Sequence, residues 1–342
     1  MLFVPFLNMH CQFLVVGGGL AGIMMHFHLS KYGKCMVVDH LNFKKSSTVA
    51  GGIYNPLMLN YQKKAFKCDL LYPQLSKFYS VLEQQLNSTF HHPVPIHYLV
   101  NSNEELNDWT LFDHQNTVYF NLEKPKESSF LAEHKAELII HNSGWVDLNQ
   151  LIESYHSMLK SKNELINDDY KCIKHEIKSD VIVHCQGNYL TQYFDDSLNI
   201  LKPAKGEVLI VETNENFTDK IYQQGVFMIP LGDGIYKIGS NFEWLDLSEN
   251  PTEKGKNEIL NKWLKWFSGD YKIIEQLAGI RPSSKDRRPI LGQLNSFKNE
   301  YVFNGLGSKG IALAPYYANM LALNIVENSP IEKEVDINRF KK

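Results

Sequence analysis

At 342 residues the chain is long enough for about two domains, each with its own core. Its 44% hydrophobic and 21% charged composition is that of a soluble globular protein, and a formal charge of −3 gives no electrostatic case for nucleic acid or an anionic membrane as main partner. The five cysteines (Cys11, Cys35, Cys68, Cys172 and Cys185) are scattered and never spaced C-x-x-C, which argues against a disulfide framework or structural zinc and suits a reducing cytoplasm.

Met1 to Met9 is apolar but lacks the basic start and small-residue cleavage site of a signal peptide, and Met9 offers a second start four residues before the first strand. Phe13 to Val16 then has strand composition, and Gly17, Gly19 and Gly22 follow in G-x-G-x-x-G spacing ahead of a helix-compatible segment reaching Tyr32. Each glycine has a mechanical reason: a tight turn, a close approach of a pyrophosphate to the backbone, and close packing of helix on strand. Leu20 and Ala21, at the start of that helix, would present free N–H groups and a positive dipole end to phosphate. Cys35 to Val38 reads as the second strand. Asp39 ends it twenty residues after Gly19, where an acid would hold the ribose of an adenine dinucleotide.

A polar loop, Leu41 to Ser47, leads to Thr48-Val-Ala-Gly-Gly-Ile-Tyr-Asn-Pro56, where Gly51 and Gly52 allow backbone to lie against a bulky ligand. Leu71, Leu75, Phe78, Leu82 and Leu86 form one face of a helix over Phe66 to Asn87. His91, His92 and His97 crowd the next stretch. Pro93 and Pro95 intervene with no acid nearby, so they read as surface histidines around a strand from Val94 to Val100, not as a metal site. A short helix over Glu104 to Phe112 and strands over Thr117 to Asn121 and Leu138 to Ile140 follow. Asp147 then caps a helix from Leu148 to Lys160, with Gln150 completing a capping box. Val181 to Gly187 reads as a buried parallel strand ending at a ligand edge, Gly187.

The second half changes character. Glu207 to Glu212, and a hairpin of Gly225 to Leu231 and Ile235 to Ser240 around Gly232-Asp-Gly234, signal an antiparallel sheet. A helix holding Ile259 to Phe267 and a strand from Lys272 into Gly279-Ile-Arg-Pro282 come next. Tyr301 to Asn304 closes the strands, before the loop Gly305 to Gly310 and a helix from Ile311 to Val326. That last stretch is too short to span a bilayer comfortably.

Three motifs line up: the first glycine set, Gly279-Ile-Arg-Pro-Ser-Ser-Lys-Asp-Arg-Arg-Pro-Ile-Leu-Gly292, and Asn304-Gly-Leu-Gly-Ser-Lys-Gly-Ile311. In this order, with Gly144-Trp-Val-Asp147 between, the chain resembles the D-amino-acid-oxidase-type FAD-dependent oxidoreductases over nearly its whole length. The resemblance implies an α/β fold in which a Rossmann-type FAD domain (1–60, 135–200 and 285–342) interleaves with an antiparallel-sheet substrate domain (61–134 and 201–284). It implies FAD contacts at Gly17, Gly19, Leu20, Ala21, Gly22, Asp39, Thr48, Gly51, Gly52, Gly187, Gly305, Gly307, Ser308, Lys309 and Gly310, with the last loop at the flavin pyrimidine end. Arg281 stands where the family's amino-acid oxidases place a carboxylate-binding arginine, able to grip with two hydrogen bonds. Tyr236, with Asn241 and Trp244, would line the substrate side, and Lys309 would add a cation beside the reduced flavin. Asp39 stands where many relatives have glutamate. No cysteine lies near the carboxyl terminus, so FAD is expected to be non-covalent.

The implied reaction is oxidation of the C–N bond of a small amine or amino acid by hydride transfer to flavin, in a cytoplasmic enzyme with no membrane span. No nucleic-acid partner and no metal are expected. Two other functions compete: a tRNA-modifying flavoenzyme of the same fold, which would want a basic face, and a flavin-binding protein without turnover.

Overall fold

Phe13 to Val16 and Cys35 to Val38 are apolar at every position because both faces of their sheet are covered. Phe13, Val15, Cys35 and Val37 point into the main core, whereas Leu14, Val16, Met36 and Val38 meet Ile166, Tyr170 and Ile173 on the other side. The computed structural model describes residues 9–40, 43–113, 118–125, 128–193, 200–217, 219–294 and 298–341. It places these strands in a six-stranded sheet ordered Leu165–Ile166, Cys35–Val38, Met9–Val16, Ile177–His184, Glu300–Asn304, Ile290–Gln293. All neighbours are parallel except the last pair. The helices Leu20–Leu29 and Gly310–Glu327 pack against one another beside this sheet.

An eight-stranded sheet runs Lys272–Arg281, Ala204–Glu212, Ile235–Gly239, Val226–Gly232, Ile221–Gln224, Ile96–Val100, Ala136–Ile140, Phe120–Glu123. It is antiparallel apart from the pairing of Ile221–Gln224 with Ile96–Val100. Side chains alternate across it. Leu209, Val211, Tyr236 and Ile238 form one face, covered by Trp263 of the helix Glu253–Trp263 and by Phe267. Gly206, Val208, Phe227 and Arg281 face a cavity on the other side.

Several expectations shift. Ala136–Ile140, expected with the dinucleotide segments, pairs in the larger sheet, and the helix Cys68–Leu86, expected with the substrate segments, packs on Gly310–Glu327. The strand expected at Thr117 to Asn121 is Phe120–Glu123, with residue 117 outside the described residues, as are 41 and 42 of the expected polar loop. Ser46–Val49 forms a helical turn, and the edge strand Ile290–Gln293 carries too short an apolar run to stand out in sequence. Asp147 does cap its helix, accepting from the N–H groups of Asn149 and Gln150. Gln150 does not complete the box: its amide donates to Ser88 and Ser154, and the Asp147 N–H donates to Phe90.

His91 and His97 are buried, against expectation. The acid that the local sequence lacks comes from a neighbouring strand, with Glu137 2.8 Å from Nδ1 of His97. Among the described residues no group of three metal-ligating side chains converges, all five cysteines are free, and no helix is long and apolar enough to cross a membrane.

Candidate cofactor and substrate site

A cavity of about 480 Å³ runs between the two sheets. Its first wall is the turn between Met9–Val16 and Leu20–Leu29, where three glycines answer to three different steric demands. A Cβ on Gly17 would stand 2.7 Å from the Cys185 carbonyl oxygen, and one on Gly22 would stand 1.7 Å from that of Gly17. A Cβ on Gly19 would meet nothing nearer than Ser47 Oγ at 3.8 Å. Neither Gly17 nor Gly22 has room for a side chain, then, but Gly17 lines the cavity with Gly19, Leu20 and Ala21, and Gly22 does not. Gly19 has no side chain with which to cap the Leu20–Leu29 helix, and the Leu20 N–H donates to Ser47 Oγ at 3.5 Å.

Asp39 is buried beside this turn. Its carboxylate accepts from Gly18 N–H at 2.8 Å and pairs with Lys45 at 2.9 Å. His156 completes the cluster by donating Nε2–H to the Gly18 carbonyl at 2.8 Å, and burial lowers its pKa. The neutral tautomer protonated at Nε2 fits that contact.

Gly51, Gly52 and Gly187 line the middle of the cavity. Gly307, Ser308, Lys309 and Gly310 also line it, where the Gly310–Glu327 helix begins without a side-chain cap. Two helix amino termini therefore face one cavity. Burial pulls the Lys309 ammonium down to about 8, with Arg288 nearby adding to the effect.

Arg281, last residue of Lys272–Arg281, reaches the cavity from the larger sheet. Its guanidinium donates from Nη1 to the Lys205 carbonyl at 3.0 Å, and from Nη2 to Ser240 Oγ at 2.7 Å and the Asn241 carbonyl at 3.2 Å. The Phe242 ring lies 4.1 Å away. Burial lowers its pKa to about 10, and among the described residues no carboxylate lies within 4.0 Å of it. A cation removed from water without an anion is destabilising until a partner reaches it. Nη2 is already shared, so a carboxylate would meet the remaining N–H groups and not a free two-pronged fork.

Four expected residues lie elsewhere. Gly22 packs helix on strand, Thr48 bonds back to the Lys45 carbonyl, and Gly305 closes against Ile290. Tyr236 is corrected outright. The strand's alternation turns it to the helix-covered face, where its hydroxyl donates to the Glu215 carbonyl. Asn241 is buried, and Trp244 stands exposed beyond the cavity.

Sequence reasoning missed Gly18, Lys45, Ser47, Phe242 and Gly206, which also line the cavity. Gly206 carried a readable signal, a lone glycine within a strand, which marks close approach of another group. That group is Arg281, whose Nη2 would sit 2.0 Å from a Cβ there.

The residues present fit FAD. The open side of Gly19 leaves room for pyrophosphate, two helix amino termini face the cavity, and Asp39 lines it with a carboxylate at the end of the second strand.

Comparison with known proteins agrees. Residues 12–323 match the family model described as FAD dependent oxidoreductase. The glycine oxidase of Pseudomonas aeruginosa is 25% identical over 132 residues, 38% of this chain and 36% of that protein. The tRNA 5-methylaminomethyl-2-thiouridine biosynthesis bifunctional protein of Legionella pneumophila is 22% identical over 346 residues, 90% of this chain and 50% of that protein. The chain thus spans half or less of the length of these relatives. Among solved structures, the iminodiacetate oxidase of Chelativorans sp. superposes with a TM-score of 0.75 at 20% identity, covering 94% of this chain and 96% of that one. The L-proline dehydrogenase of P. horikoshii gives 0.78 at 16% identity, covering 98% and 99%.

Proposed function

The chain belongs to the FAD dependent oxidoreductase family, and on that premise we propose that it oxidises the C–N bond of a small amino-carboxylate. FAD, when bound, would supply a two-electron acceptor for hydride from an amine-bearing carbon. Gly19, Leu20 and Ala21 would hold its pyrophosphate, Asp39 its ribose, and the loop Gly307 to Gly310 its pyrimidine end. Contact with these groups is non-covalent.

One observation carries the substrate reading. Arg281 is a guanidinium in the wall of the cofactor cavity with no acid of its own among the described residues. Its bonds to Lys205, Ser240 and Asn241 fix its orientation without neutralising its charge. A substrate carboxylate would supply the missing anion and be oriented by it, which places the neighbouring C–H and amine. In the same cavity wall Lys309 contributes positive charge below about pH 8, and the helix amino terminus behind it does so at any pH.

Arg281→Leu tests this. The variant should keep its fold and flavin and lose kcat/KM by roughly 30- to several-thousand-fold, the equivalent of about 2–5 kcal/mol for a charged contact. Loss of flavin with no change in substrate dependence would make Arg281 a structural residue.

The match to the tRNA biosynthesis protein over 90% of this chain favours a second reading, in which the amine is carried by RNA. The two lysines nearest the ribose end give it little support, because Lys45 pairs with Asp39 and Lys44 donates to the Glu249 carbonyl. Salt-dependent RNA binding by the purified protein would promote it.

A further inference from the structure

Beyond Arg281 the cavity wall continues into residues 240–252, which connect Ile235–Gly239 to Glu253–Trp263. For a surface loop its side chains are distributed backwards. Phe242 is 50% exposed, Trp244 52% and Leu245 95%, whereas the polar groups are engaged inward. Lys205, fully buried, donates Nζ to Asp246 at 2.7 Å and to Ser248 Oγ at 3.2 Å. The Glu243 carboxylate accepts from the N–H groups of Trp244 and Leu245 and pairs with Lys254 at 2.6 Å. The backbones of Lys205 and Glu243 exchange two hydrogen bonds, at 2.8 and 3.0 Å. Asn241, also buried, accepts from Glu207 N–H at 2.8 Å. This bonding holds the loop in one shape, so its apolar side chains are presented in fixed positions before anything binds, which lowers the ordering cost of binding.

Two of those side chains continue from the anchor. The Arg281 guanidinium lies 4.1 Å from the Phe242 ring centroid. Phe242 in turn stacks on Trp244, with centroids 5.9 Å apart and planes at 21°. Phe242 lines the cavity and Trp244 stands outside it. A molecule whose carboxylate meets Arg281 therefore has an aromatic surface beside it, running outward.

From this we infer that Phe242 and Trp244 form a platform for a planar apolar substituent. The substrate is then an amino-carboxylate bearing an aromatic group, not bare glycine or sarcosine. The inference rests on the proposed carboxylate role of Arg281. Trp244 is the specificity-determining residue, since it is exposed, does not line the cofactor cavity and extends the aromatic face of Phe242 outward.

The test uses the full-length, flavin-loaded protein and two unreactive carboxylates, acetate and phenylacetate, titrated by calorimetry. Phenylacetate should bind roughly 10-fold tighter than acetate, the scale of one aromatic stack with its burial. Trp244→Ala should reduce that preference to within about twofold while leaving acetate affinity unchanged. Phe242→Leu, which removes the flat face over Arg281, should likewise reduce the preference for phenylacetate over acetate to within about twofold. Equal binding of the two carboxylates by the unaltered protein, or a preference that survives both substitutions, overturns the platform. An Arg281→Leu variant that still binds acetate normally overturns the anchor reading, and the Trp244 comparison then judges the platform by itself.

Discussion

A methyl group added at Gly19 would point into open cavity, and one added at Gly22 would collide with the Gly17 carbonyl 1.7 Å away. The two glycines belong to one motif and should fail differently. Gly19→Val should fold with its melting temperature nearly unchanged and purify colourless, because the new side chain fills space meant for pyrophosphate. Gly22→Val should lose the fold itself. Absorbance and thermal melting of both variants decide the matter, and a yellow Gly19→Val would show that the pyrophosphate lies elsewhere. Lys309 supplies a pH test. Burial holds it near 8 in the folded chain, against 10.5 when unfolded. Between those values the unfolded chain binds the extra proton, so stability rises with pH across that window, and the penalty of the buried charge is fully present below it. In the flavin-free protein Lys309→Met should therefore raise the melting temperature more at pH 7 than at pH 10. Equal effects at both would place the ammonium in solvent. At this scale the glycine motif was legible because its spacing is local, and the place of Arg281 in the cavity wall followed from the family resemblance. Tyr236 was misplaced because which face an aromatic takes depends on strand register, and the acid beside His97 comes from a separate strand.

The helix Leu148–Ser161 shows how an element far from substrate fixes the site. Asp147 caps it, and two turns later His156 reaches back to hold the Gly18 carbonyl beside Asp39. Asp147→Ala should cost about 1 kcal/mol in urea unfolding, the usual worth of such a cap, and weaken flavin retention only modestly. No measurable loss would mean that the helix is held by packing alone. The cap was readable from sequence, since Asp147 precedes an apolar-periodic run. The partner of Gln150 was not, because Ser88 approaches from another segment. The hairpin at Gly232-Asp-Gly234 was equally plain. The bonding of the 240–252 loop was hidden, because Lys205 and Asp246 are far apart in sequence and are brought together only by the fold.

The whole molecule is two sheets with a cavity between them, one supplying helix amino termini and an acid, the other a guanidinium. That division was legible as a switch from continuous apolar strands to hairpin-linked ones. Its boundaries were less so: Ala136–Ile140 has an apolar run that suits either sheet, and only its pairing with Ile96–Val100 assigns it. Under the proposed function, electrons come from an amino-carboxylate lying between Arg281 and the cofactor. The direct measurement is anaerobic mixing of the yellow protein with glycine, sarcosine, N-benzylglycine, L-proline, NADH and NADPH, followed at the flavin absorbance band. Bleaching by at least one amino-carboxylate, abolished or greatly slowed in Arg281→Leu, and no rapid bleaching by either nicotinamide, is the predicted result. Rapid bleaching by NADH or NADPH with none by any amine would contradict it.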